Sequence, residues 1–88
     1  MTFENADIWT KTYGGLINLR SITSGECYAT IYTSGIFNRV DVTVFRVVDC
    51  VEYVILQKTI YLDKDIKEDI EEIENKINKV MTEVLGNG

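Results

Sequence analysis

From Asp63 to Leu85 the apolar residues Ile66, Ile70, Ile73, Ile77, Val80 and Val84 recur at steps of four, three, four, three and four. That rhythm stacks all six on one face of a single helix. Nearly every residue between them is charged or polar, so the helix is amphipathic and must bury its stripe against something. Asp63 or Asp65 can cap its start, and Gly86 is a natural stop. Acids crowd the first half (Glu68, Asp69, Glu71, Glu72, Glu74) and lysines follow at Lys76 and Lys79, an order that complements the helix dipole.

The first two-thirds read as strand, turn, strand. Asp7 to Tyr13 is rich in Thr and aromatics, Gly14-Gly15 looks like a two-residue hairpin turn, and Leu16 to Ile22 follows as a second strand. Ser24-Gly25 is another turn signal, then Glu26 to Thr33 a third strand, then Ser34-Gly35. The β-prone run from Arg39 to about Leu62 is too long for one typical strand. Asp49-Cys50 is the best break, although its turn chemistry is poor. The connections are too short for crossovers. The expected fold is therefore α+β: one domain over residues 1–88, with an antiparallel β-meander of four or five strands (about 7–62) and one C-terminal helix (about 63–85) packed on one sheet face.

Alternation assigns the faces. Cys27, Ala29 and Ile31 point one way with Val40, Val42 and Val44, which makes a small aliphatic face suited to the helix. Tyr28, Tyr32, Phe45 and Tyr53 fall on the other face, which Trp9 and Tyr13 would join. Burying six such helix side chains is worth on the order of 10 kcal/mol gross. A strict coiled-coil seam between two chains is the competing use of the stripe. Met81 and Leu85 widen the stripe beyond such a seam.

Composition excludes several functions. The chain of 88 residues has no His and no Pro. Missing His removes the commonest general base and metal ligand together. No phosphate-binding loop, GxGxxG or CxxC is present, and Asp63-Lys64-Asp65 lacks the glycine and bidentate Glu of a calcium loop. No catalytic, cofactor or metal residue is assigned. Cys27 and Cys50 sit in strand-like, apolar contexts and read as two reduced, buried thiols. The net charge is −5; residues 63–88 hold eight acidic and four basic residues, so the excess rides on the helix. That balance opposes ordinary phosphate-backbone binding. No apolar run is long enough to span a membrane, and no signal-peptide pattern is visible, so a cytoplasmic protein is expected.

What remains is recognition. The expected partner surfaces are the aromatic face (Tyr28, Tyr32, Phe45, Tyr53) and the acidic helix face (Glu68, Asp69, Glu71, Glu72). Tyr and Trp are enriched at protein interfaces, and carboxylates on a rigid helix imitate a phosphate backbone. The expectation is a non-enzymatic protein-binding module: a small acidic inhibitor, phage- or mobile-element-encoded and acting in the host cytoplasm, of a basic nucleic-acid-acting protein. Eleven Ile and six Asn against two Ala fit a low-GC source of that kind. A homodimeric assembly module, paired through the aromatic face or a sheet edge, is the alternative. Direct single-stranded nucleic-acid binding is the weaker one, since the element order suits neither an OB barrel nor an RRM.

Overall fold

The computed structural model describes residues 3–86. Five elements follow in order: α1 (Phe3–Ile22), β1 (Cys27–Ser34), β2 (Arg39–Val48), β3 (Val51–Tyr61) and α2 (Lys67–Gly86). The strands form one antiparallel meander, β1-β2-β3. The fold is α+β with a C-terminal helix, as expected, but the sheet has three strands rather than four or five. Residues 7–13 and 16–22, read as two strands around a Gly14-Gly15 turn, lie in one continuous helix.

The stripe on α2 is core. Ile66, Ile70, Ile73, Ile77 and Val80 are buried, and Val84 packs against the cluster. Asp65 Oδ1 accepts the Lys67 N–H at 3.1 Å and caps the first turn. The stripe lies on the aliphatic sheet face of Cys27, Val40, Val42, Val44 and Ile60. Leu16 and Leu19 of α1 complete the same core. Both helices therefore cover one face of the sheet in a two-layer arrangement, and the opposite face is open.

The turns explain the strand boundaries. At the end of α1, Ser24 takes a left-handed φ of 54°, and the Gly25 N–H returns to Arg20 O at 2.8 Å, a Schellman-type ending. Asp49 and Cys50 have φ of 52° and 66°. These are the two central residues of a tight hairpin of the type that matches sheet twist. The break expected at Asp49-Cys50 is therefore real, with Cys50 standing where Gly is usual. Both thiols are free; Cys27 is buried as expected, but Cys50 is exposed because it stands at the hairpin tip rather than within a strand.

One irregularity decides the faces of β3. Val44 pairs with Leu56 but Phe45 pairs with Val54, so Ile55 is an extra residue in a bulge. An added residue inverts inward and outward beyond it. Leu56, Lys58 and Ile60 therefore face the helices by one parity, and Tyr53, opposite Arg46, does so by the other.

Candidate functional site

The open face of the sheet has two halves. Near the β2–β3 turn it is aromatic and aliphatic. Tyr28 stacks on Phe45 with ring centroids 4.9 Å apart and planes 15° apart, and Val47 and Val54 flank the pair by register. Arg20, from the end of α1, reaches over the Tyr28 ring at 5.9 Å. The Tyr28 hydroxyl hydrogen-bonds Glu52, which holds its pKa above the usual phenol value. Val54 is 57 % exposed. Toward the other end the face turns polar. Thr59 donates to Asp41 Oδ1 at 2.7 Å, and Arg39 pairs with Asp41 at 3.4 Å. Tyr32 lies opposite Asp41 and is 66 % exposed.

Three of the four expected aromatic residues, Tyr28, Tyr32 and Phe45, thus share this face. Tyr53 does not. The bulge at Ile55 turns it to the helix side, where it lines a cleft of about 320 Å³ with Arg46, Ile55, Lys76, Lys79 and Glu83. Alternation counted through β3 without a bulge places it wrongly. Trp9 and Tyr13 are also elsewhere: they sit one helical turn apart on α1, with ring centroids 6.0 Å apart, and Trp9 packs on the core. Val54 was not singled out in the sequence. The same bulge carries it outward. Ile36 and Phe37, at the β1–β2 turn, form a further exposed apolar tip that a reading of turns as polar passes over.

The acidic surface is real but partly neutralised. Lys58 leaves the inner side of β3 and binds both Asp69, at 3.1 Å, and Glu72. These two carboxylates, Glu72 foremost, hold the Lys58 pKa above its ordinary value. Glu68 and Glu71 make no ion pair among the described residues and face solvent beside them. Glu74 accepts weakly from Thr12 at 3.5 Å. Elsewhere Glu83 is bound by Arg46 at 2.9 Å and Glu4 by Lys67 at 3.0 Å.

Among the described residues no group of three His, Cys, Asp or Glu side chains is placed to hold a metal ion, and no helix is long and apolar enough to cross a membrane. No family model, curated protein or solved structure matches this chain.

Proposed function

We propose that this chain is a non-enzymatic binding module that takes a protein partner on the outer face of its sheet. The observation that carries the reading is the patch of stacked Tyr28 and Phe45 with exposed Val54, bordered by Arg20, Glu52 and the Arg39–Asp41–Thr59 group. An apolar and aromatic centre with a polar border is the usual make-up of a protein interface. The aromatic rings are already fixed by stacking, which lowers the ordering cost of binding.

An inhibitory role against a nucleic-acid-acting protein belongs to the acidic face of α2, and Lys58 weakens it. A decoy for a phosphate backbone needs free carboxylates. Asp69 and Glu72 are already engaged with Lys58, so only Glu68 and Glu71 of the four stand clear. The sheet face therefore takes precedence.

The test is a comparative pull-down with quantitative mass spectrometry. The baits are the wild-type chain, Val54→Asp, and the double variant Glu68→Lys/Glu71→Lys. The expected result is a protein retained by wild type and by the double variant but lost with Val54→Asp. Retention lost only in the double variant moves the site to α2, and identical retention on all three baits overturns both assignments.

A further inference from the structure

The two edges of the sheet are finished differently. β3 carries two features that discourage a further strand: the bulge at Ile55 and the inward charge of Lys58. β1 carries neither. From Cys27 to Asn38 there is no charged residue, and β1 pairs on one side only.

Thr23 reveals which backbone groups face the open side. The Cys27 N–H donates to Thr23 Oγ1 at 3.0 Å, and that hydroxyl lies 3.0 Å from Cys27 O. One residue earlier, Glu26 O accepts the Val47 N–H from β2's side at 2.8 Å. Hydrogen-bonding direction alternates along an antiparallel strand. The N–H and C=O of Ala29, Ile31 and Thr33 therefore point outward with those of Cys27, and Thr23 occupies only Cys27.

We propose that a second copy of this chain adds its own β1 here, antiparallel, about a two-fold axis at Ile31. That register follows from the three outward residues. It pairs Ile31 with itself and Ala29 with Thr33 of the other copy, so all three sets of outward groups meet outward groups. A register centred elsewhere on β1 leaves one set unmatched or collides with the Thr23 plug. On the open face the same register sets Tyr28 opposite Ser34 and Tyr32 opposite Thr30, large beside small. A two-fold contact is self-complementary by necessity, and no like charges oppose each other across it. For copies that each carry −5, this uncharged edge is the approach with least repulsion.

The helices leave room. α1 runs obliquely: Arg20 at its end lies over Tyr28 at the start of β1, while Asn5 near its beginning binds Leu62 O beyond the end of β3. Beyond Ile31 α1 approaches β1 through Trp9, which packs on the core and lines a hollow with Thr33 and Ser34, and the two copies' helix ends fall at opposite ends of the seam. Lys11, Gly15 and Ile22 of α1 face α2. The opposite flank carries Ala6, Thr10, Tyr13 and Ile17, spaced to form one uncharged strip; Tyr13 and Ile17 are exposed beside the seam. The pairing does not depend on the open-face reading. It joins two outer faces into one six-stranded surface.

Light scattering and concentration-dependent amide exchange test this on the whole chain. The expected result is a species of twice 10.1 kDa at high micromolar concentration, with the Ala29, Ile31 and Thr33 amides protected as the dimer forms. Thr33→Pro removes one outward donor and no bond to β2, and Ile17→Glu charges the flank. Each should weaken the dimer by about tenfold or more, with circular dichroism unchanged. If Thr33→Pro misfolds, Ile17→Glu alone decides. Val54→Asp should remain dimeric, which separates this proposal from the open-face site. A monomer at that concentration overturns it, as does a dimer untouched by Ile17→Glu or one that leaves those three amides unprotected.

Discussion

Asn5 and Leu62 are fifty-seven positions apart, yet the Asn5 amide donates to Leu62 O at 2.8 Å. The same Nδ2 reaches Lys64 O at 2.7 Å. This buried amide ties the start of α1 to the loop that leads into α2. Losing it leaves a buried carbonyl without its donor, which typically costs about 1–3 kcal/mol. Asn5→Ala should lower unfolding stability by that amount in urea titration. Asn5→Asp sharpens the test. A carboxylate cannot donate to two carbonyls but a carboxylic acid can donate to one, so its folded pKa is raised. The variant should regain stability as pH falls through the carboxylate range, and a flat difference from wild type across that range would show that the bond does not carry the stability.

The contact also shows what was legible in the sequence. On α2 the apolar spacing is regular and everything else is polar, so the helix and its buried face could be read directly. On α1 the inward positions include Asn5 and Thr12, both polar and both buried, with partners far along the chain. Meanwhile Tyr13, Ile17 and Ile22 are apolar and exposed. An apolar count therefore shows no helical face there, and Thr and aromatic residues mimic a strand. For the candidate site, Tyr28, Tyr32 and Phe45 followed from alternation because β1 and β2 pair without a slip. Tyr53 did not follow, because a bulge is set by pairing geometry and leaves no composition signal at Ile55. The Lys58 clamp was hidden too, since it links residues whose proximity depends on how α2 lies over β3.

Lys58 and Tyr28 should each lend stability that is lost at alkaline pH. Both have folded pKa values above their ordinary ones: Lys58 through Glu72 and Asp69, Tyr28 through its hydrogen bond to Glu52. Lys67 is shifted the same way by Glu4. A raised folded pKa contributes stability that is complete below the unfolded value and is lost as pH rises through the folded one. Stability should therefore hold at neutral pH and decline above about pH 10, where these groups titrate. Urea titrations across pH 8 to about 11.5 check the direction. Tyr28→Phe should remove a step above the usual phenol value from the tyrosinate absorbance at 295 nm. If that raised step survives in the variant, the Glu52 bond is not what holds the proton.

The two thiols should react at very different rates. Cys27 is fully buried, and desolvation raises its pKa above that of an ordinary thiol. Cys50 is exposed at the tip of the β2–β3 hairpin. A disulfide reagent in excess should modify one thiol promptly under native conditions and the second only on unfolding. The hairpin offers a second measurement. Cys50 has φ of 66°, a region that costs an L-residue about 1–2 kcal/mol. Glycine is free of that cost but loses more chain entropy on folding, so Cys50→Gly should stabilise the protein by about 0.5–1 kcal/mol. Cys50→Val should destabilise it. Equal effects of both substitutions would mean the turn is not of this type.

Gly14 and Gly15 separate the helix from the hairpin that their sequence suggests. In a two-residue hairpin turn these glycines would supply left-handed backbone, and a side chain there would be strained. In α1 they are helical, and an added Cβ meets nothing within 4 Å at either position. Glycine inside a helix is less favourable than alanine by about 0.5–1 kcal/mol. Gly14→Ala and Gly15→Ala should therefore each raise stability by about that much. Neither added methyl group meets a neighbour, even at Gly15 where α1 borders α2, so the double variant should gain nearly the sum. For a domain of this size the combined gain corresponds to several degrees in Tm. The opposite sign, a loss on either substitution, would restore the turn at Gly14-Gly15 and with it a pair of strands before β1.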